Sequence, residues 1–204
     1  MSTVELVEST VLSELLRGQL RPGDRVRQDA LAARLGVSKI PVREALQRLA
    51  ANGLLRFETN RGAVVPTLTA SDADEHYALR QAIEPLLLER ALPHLTIVDL
   101  AEAELALVDP ASASSTEANW RFHRALYRAS GWQRGLAICE MLHAAVAPYV
   151  VLYTESLGGA NVSDEQHRAL LDAARAGDPH TARAILERHL DDAATSVIEF
   201  LTRR

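Results

Sequence analysis

The sequence has one cysteine, no signal-peptide pattern at its N-terminus, and no uninterrupted apolar run long enough to span a bilayer. Cys139 alone can form neither an intramolecular disulfide framework nor a cysteine-rich zinc module. The first 17 residues do not resemble a signal peptide, because Glu5, Glu8 and Glu14 interrupt the apolar ones. These absences predict a soluble cytoplasmic protein that does not enter a membrane.

The charge is distributed unevenly along the 204 residues. The whole chain carries a formal charge of −5, which by itself argues against a nucleic-acid partner. Residues 1–66, however, hold ten Lys and Arg against seven Asp and Glu, a balance of +3 that leaves −8 for the rest. A basic module joined to an acidic one is compatible with a DNA-binding domain carried by a body that does not touch phosphate.

The basic segment contains the pattern of a winged helix-turn-helix. An amphipathic helix is predicted over Thr3–Arg17, followed by short helices over Gln28–Leu35 and Lys39–Asn52. Gly36, Val37 and Ser38 join the two short helices, and Ser38 is placed to cap the second one. Two strand-like stretches follow at Leu54–Phe57 and Ala63–Val65. Asn-Arg-Gly between them is a hairpin signal, so a wing is expected.

The second short helix is expected to enter the major groove of DNA with its N-terminal residues nearest the bases. Arg43 can then fork onto guanine or phosphate, while Ser38 and Lys39 lie on the same groove side. Asn60, Arg61 and Gly62 would place the wing tip along the backbone. Taken singly, each feature could also be a solvated helix charge or an ordinary hairpin tip. The ordered combination is what favours DNA binding.

Residues 70–204 contain only helical patterns. The predicted helices cover 70–91, 96–107, 115–129, 132–154, 163–176 and 179–202, with loops at 110–115 and 158–161. The predicted organisation is therefore a mainly α protein. A winged helix-turn-helix over 1–66 and a linker over 67–69 precede an antiparallel helical bundle over 70–204, which would bind an effector and dimerise.

Three of the seven histidines lie on apolar helix faces. His123 follows Asn119 by one helical turn and shares an apolar face with Phe122 and Leu126. His167 and His189 lie on similar apolar faces of the last two predicted helices. Burying imidazoles is costly unless something binds their nitrogens. Either each histidine makes a private hydrogen bond, or the three share a metal ion. The spacing leaves both alternatives open.

Five segments closely resemble the GntR family of bacterial regulators: Leu20–Arg25, Leu31–Ser38, Pro41–Leu49, Gly53–Leu55 and Asn60–Gly62. The resemblance covers residues 5–66. It implies operator contacts from the recognition helix, the helix before it and the wing tip, which are here Arg34, Ser38, Lys39, Arg43 and Asn60–Gly62. Lys39 stands where the family commonly has Arg, so its charge is kept but a bidentate contact is lost.

Residues 70–203 resemble the all-helical ligand-binding (FCD) domain of the FadR-type branch, in a shorter variant with six helices. The resemblance implies a divalent metal, zinc or another transition metal such as nickel, held by Asn119, His123, His167 and His189. Asn119 replaces the usual Asp and brings an oxygen without its charge. The resemblance to the FCD domain also implies that Arg80 binds an effector carboxylate beside the metal. The plainer alternative for Arg80 is an i,i+4 ion pair with Glu84.

The predicted function is a ligand-responsive repressor or activator, not an enzyme. It would bind near-palindromic double-stranded operator DNA as a homodimer and respond to a small organic acid. One alternative is a regulator with a degenerate, metal-free bundle, since Asn119 is an uncharged ligand. The other is a metal-dependent hydrolase. It is disfavoured because no Asp or Glu occupies a clear base position and the DNA module would be unexplained.

Overall fold

The computed structural model describes residues 2–67, 69–108 and 115–203. Helix α1 (Thr3–Leu16) begins at a capping box in which Ser2 and Glu5 satisfy each other's backbone N–H groups. It buries Val7, Val11 and Leu15. The helix ends before Gly18, which takes the left-handed conformation (φ +64°) that lets the chain turn sharply.

The next elements complete a winged helix-turn-helix: β1 (Arg25–Val26), α2 (Gln28–Leu35), α3 (Lys39–Ala51), β2 (Arg56–Glu58) and β3 (Gly62–Val64). The strands form an antiparallel sheet in the order β1-β3-β2, with Phe57 opposite Ala63. Gly36 (φ +66°) makes the tight turn between α2 and α3. The inner face of α3 is fully buried, which fixes the direction of its outer face.

Six α-helices make up the described part of the C-terminal bundle: α4 (Ala70–Ala91), α5 (Ile97–Val108), α6 (Ser115–Tyr127), α7 (Gln133–Val151), α8 (Ala160–Ala176) and α9 (Pro179–Thr202). Short 3-10 turns follow α4 and α6, and a π-helical turn, Leu152–Ser156, follows α7. Helix α4 packs along α9 and α7, while α6 packs against α5 and α7. This arrangement confirms the predicted fold class.

Several predicted boundaries are wrong in detail. Strand β1 was not predicted, because two residues are too short to show a period. The two wing strands lie one or two residues from their predicted positions. Ala160 and Asn161 begin α8 instead of forming a loop. Ser38 is the N-cap of α3 by its backbone, but its side chain makes no capping hydrogen bond. The predicted loop at 110–115 lies outside the described residues except for Ser115, which begins α6.

The segment from Gln133 to Ser156 is long and apolar enough to cross a membrane by composition alone. In the fold it is a bundle helix. One face of α7 is buried against α1, α4 and α6, and that face includes the polar side chain of His143. Core helices of water-exposed bundles commonly reach this apolarity, since most of one face is removed from water.

The winged module and the bundle share one continuous apolar core. The C-terminal end of α1 packs against α7 and α6. At this junction the Thr116 hydroxyl donates a hydrogen bond to the carbonyl oxygen of Leu16, at the end of α1. Arg17 forms an ion pair with Glu117 at 3.2 Å. The two modules are therefore joined by side-chain contacts as well as by the continuity of the chain.

Candidate functional site

The first candidate site is the outer face of α3. Ser38, Lys39 and Arg43 are all exposed at or near its N-terminal end, on the side away from the core. Among the described residues Arg43 makes no ion pair, so its guanidinium is free to contact DNA. Ile40 lies on the same turn with 72% of its surface exposed. An exposed apolar side chain beside exposed polar ones is suited to a thymine methyl group in the major groove.

The other predicted DNA contacts have partners within the protein. Lys39 Nζ lies 2.8 Å from Asp29 Oδ1, and Arg34 forms an ion pair with Glu14. Both cations are more than half exposed, so these surface pairs contribute little to stability and can open when phosphate approaches.

The wing tip is a tight, ordered turn. Asn60 takes a left-handed backbone conformation (φ +65°), which asparagine tolerates better than most residues. Gly62 follows with φ +76°. Arg61 donates to Glu58 at 2.7 Å and to the carbonyl of Gly23 at 3.0 Å, so its position is fixed from two sides. The structure thus places a basic residue at the tip of the hairpin.

The second candidate site is a buried cluster of imidazoles from α6, α8 and α9. His123, His167 and His189 are all buried, and one ring nitrogen of each lies within 4.8 Å of one nitrogen of the other two. Their ring centroids are 4.5–5.4 Å apart. The structure therefore brings together the three histidines that the helical spacing singled out.

Two nitrogens of this His triad are buried without a partner. Within the described residues, Nε2 of His123 and Nε2 of His167 make no hydrogen bond. A buried nitrogen left unpaired costs about 1–3 kcal/mol. Burial lowers the pKa of His189 to about 3, with the positive charge of Arg80 adding to the effect. Burial also lowers the pKa of His123 and of His167 well below the usual value. All three imidazoles are therefore neutral, which is the form that coordinates a metal ion.

A second buried cluster, formed by the side chains of Arg80, Glu84 and His143, adjoins the His triad. Arg80 Nε donates to Glu84 Oε1 at 2.6 Å, which is the predicted i,i+4 pair, but both side chains are buried instead of solvated. His143 Nε2 lies 3.2 Å from the same oxygen. Although burial opposes ionisation, Arg80 and His143 hold the pKa of Glu84 well below its usual range. The cationic and anionic side chains balance each other beside the triad.

Asn119 lies one turn before His123 and is half-buried. Together with His167 it lines a cavity of about 250 Å³ whose other polar walls are Thr154, Ser163 and Asp164. His167 thus belongs both to the triad and to the wall of this open cavity.

Two family models match the chain in sequence. Residues 3–65 match the model described as "Bacterial regulatory proteins, gntR family", and residues 75–192 match the FCD domain. The second match alone covers more than half of the chain. The protein belongs to the GntR family. It is a DNA-binding transcriptional regulator with a C-terminal FCD domain, and not an enzyme.

Known relatives of this GntR regulator share most of its length. The chain is 30% identical to the "Probable D-xylose utilization operon transcriptional repressor" of Paenarthrobacter nicotinovorans, over 90% of this chain and 84% of that protein. It is 29% identical to the transcriptional regulator McbR of Escherichia coli, over 88% and 86% of the two chains. The solved structure of E. coli McbR/YncC superimposes with a TM-score of 0.84, covering 98% and 99% of the chains at 26% identity.

Sequence reasoning missed part of the GntR regulator's buried site. His143 lies outside the pattern of the three histidines that the helical spacing indicates, yet its ring centroid lies 5.1 Å from that of His123. The sequence analysis predicts Glu84 only as an ion-pair partner of Arg80 and does not name Tyr127. Both lie at i,i+4 from a residue that was singled out, Arg80 and His123 respectively. That spacing was the signal that could have found them.

Proposed function

We propose that this GntR regulator binds near-palindromic operator DNA as a homodimer, and that a small organic acid bound at a metal-containing cavity controls its affinity for DNA. The observation that carries the proposal is the His triad: three buried neutral imidazoles converge, two of them have an unpaired Nε2 among the described residues, and one of them, His167, lines a cavity. A cytoplasmic location follows from the need to reach chromosomal DNA.

For DNA, we assign Arg43 to a guanine or phosphate contact because it is exposed and unpaired on the recognition helix. The Ser38 hydroxyl makes no capping hydrogen bond, so we assign it to a hydrogen bond with a phosphate oxygen at the start of α3. Lys39 and Arg34 would exchange their surface ion pairs for phosphate. Arg61, with Asn60 and Gly62, would bring the wing to the backbone.

For the metal, we assign His123, His167 and His189 as ligands and Asn119 as a fourth, uncharged one. Nitrogen ligands of this number suit zinc, nickel or a similar transition ion. When bound, such an ion supplies positive charge and open coordination positions. The chain's own ligands are all neutral, and Arg80 and Glu84 cancel each other.

This charge balance favours an anionic effector. A divalent ion held only by neutral ligands leaves an uncompensated double positive charge in a buried place, which a carboxylate would offset. Arg80 has five N–H donors, of which Nε binds Glu84 and one Nη2 contact goes to His143. We propose that a carboxylate of the effector accepts hydrogen bonds from the remaining N–H groups of Arg80, while Glu84 and His143 keep theirs.

Helix α6 offers a route from the effector to the DNA module. It carries His123 and Asn119, and its first turn holds Thr116 and Glu117 against the end of α1. Helix α1 in turn packs on the recognition helix α3. A small shift of α6 on effector binding would therefore change the placement of α3. The effector must bind one arrangement better than the other for this to work.

The test begins with duplex DNA selected from a randomised pool by the purified protein. Fluorescence anisotropy then measures operator affinity with metal-loaded and chelated protein, across a panel of small organic acids and neutral sugars. D-xylose belongs to the panel because of the name of one relative. We expect an organic acid to change operator affinity only in the metal-loaded protein. A response of the chelated protein equal to that of the loaded one would contradict the proposal.

The coupling route has its own variant. Thr116→Val removes the hydroxyl while keeping the shape, so we expect normal operator and metal binding but a weaker response to effector. Thr202→Val, which removes a hydroxyl that likewise donates to a backbone carbonyl but only within α9, is the matched control. The second candidate function, a regulator with a metal-free bundle, predicts no bound metal in the purified protein and no effect of chelation.

A further inference from the structure

Two ligands of the His triad are each held by a chain of polar groups that ends on a carboxylate. On one side, His123 Nδ1 lies 3.0 Å from the Tyr127 hydroxyl, which donates to Glu84 Oε2 at 2.7 Å. On the other, His189 Nδ1 lies 3.1 Å from Gln166 Oε1, and the amide of Gln166 donates to Asp192 Oδ2 at 2.6 Å. The two chains come from different helices but have the same order of donors.

In the first chain, the donor and acceptor of each hydrogen bond determine which nitrogen of His123 carries the ring proton. Glu84 accepts from Arg80 at Oε1, and a carboxylate in a buried ion pair with a guanidinium is ionised, so Oε2 can only accept as well. The Tyr127 hydroxyl has one proton and gives it to Glu84. Towards His123 the hydroxyl oxygen can therefore only accept, so Nδ1 of His123 carries the ring proton. The lone pair of the neutral ring is then on Nε2, the nitrogen that is buried without a partner.

The second chain leads to the same tautomer. A carboxylate such as Asp192 can only accept, so the Gln166 atom that faces it must be the NH₂ nitrogen. This fixes the orientation of the amide. Oε1 of Gln166 then faces His189 and can only accept from it. Nδ1 of His189 therefore carries the proton, and its Nε2 holds the lone pair. Two independent hydrogen-bonded chains thus leave the lone pair of each histidine on Nε2, the nitrogen that faces away from Tyr127 or Gln166.

We propose that Tyr127 and Gln166 are positioning residues, anchored by Glu84 and Asp192, that hold His123 and His189 in the Nδ1-protonated tautomer with Nε2 free for a metal ion. The inference rests on the proposed metal site. Without these anchors each ring would divide its population between two tautomers and rotate more freely. Such outer partners of metal ligands typically change metal affinity about 10–100-fold.

The direct test reads the tautomers in the metal-free protein. Proton–nitrogen correlation spectra of isotope-labelled histidine rings are assigned with single histidine variants. We expect His123 and His189 to carry their proton on Nδ1. Tyr127→Phe should release His123 alone, and Gln166→Met should release His189 alone. Nε2-protonated rings in the unmodified protein, or tautomers unchanged in both variants, would overturn the proposal.

Metal affinity provides the second readout, with zinc as the probe in competition with a chromophoric chelator. We expect Tyr127→Phe and Gln166→Met each to weaken zinc binding about 10–100-fold. Tyr149→Phe is the control, because its hydroxyl bonds to the backbone of Thr69 and, among the described residues, to no ligand of the triad. If the unmodified protein binds no zinc, the metal site itself fails. If it binds zinc and both variants bind equally well, only the positioning role fails.

Discussion

The DNA-binding face and the His triad place their polar side chains in opposite surroundings. Arg43 is exposed and unpaired on one helix, close in sequence to the residues that would act with it. The triad is buried, comes from three helices, and is enclosed by an ion pair and two hydrogen-bonded chains. The comparison teaches that a surface site for DNA needs little support, whereas a buried metal site depends on the residues around it.

The largest expected effect comes from emptying the buried site. His123→Ala combined with His189→Ala leaves a single histidine ligand, so we expect complete loss of stoichiometric metal, measured by elemental analysis of dialysed protein. The matched double variant, His94→Ala with His180→Ala, removes two exposed histidines and should keep the metal. Retained metal in the first variant would refute the site. Both variants should still bind operator.

The second prediction tests the support around the buried site. Glu84→Gln removes the charge that balances Arg80, leaving a buried guanidinium uncompensated. We expect the free energy of unfolding to fall by about 3–5 kcal/mol, measured by denaturant titration of the metal-free protein. Glu44→Gln breaks an exposed i,i+4 pair with Arg48 and should cost less than about 1 kcal/mol. Equal losses would remove the contrast between the two surroundings.

The third prediction tests the exposed site. Arg43→Ala removes a guanidinium that has no partner in the part of the chain that the structure describes, so the fold should be unaffected. Operator binding should weaken by about 1–3 kcal/mol, measured by gel-shift titration at fixed salt. Arg183→Ala, at an exposed position on α9, is the matched control. Unchanged operator binding by the Arg43 variant would show that this residue does not contact DNA.

The smallest effect is expected at the residue that departs from the family pattern. Asn119→Asp adds a negative charge one turn from His123, so metal affinity should rise on the order of tenfold, or about 1.4 kcal/mol. Competition with a chelator measures the change, and Asn161→Asp on the outer turn of α8 is the control. Weaker metal binding by the Asn119 variant would mean that this side chain is not a ligand.

Much of the DNA module could be predicted from the sequence because its signals are local. Gly36 and the apolar face of α3 determine the turn and the buried side within a few residues. The apolar stripes around His123, His167 and His189 also predicted correctly that these rings point inward. The two-residue strand β1 could not be predicted, since it forms only by pairing with β3.

The surroundings of the triad could not be predicted in the same way. His143 lies on an apolar helix whose pattern does not indicate which neighbour it meets, and only the packing of α7 on α4 and α6 brings it to Glu84. Arg80 and Glu84 have the spacing of an ordinary surface pair. Their burial depends on α9 and α7 covering that face of α4.

By itself, the sequence determined the mainly helical class, the winged module and the inward direction of three imidazoles, because helical period and turn chemistry act over a few residues. The tertiary structure alone decided that the imidazoles converge, that Arg80 and Glu84 neutralise each other out of water, and that Tyr127 and Gln166 face the ring nitrogens. These contacts join residues that lie far apart in the chain, and only the packing of the helices brings them within bonding distance.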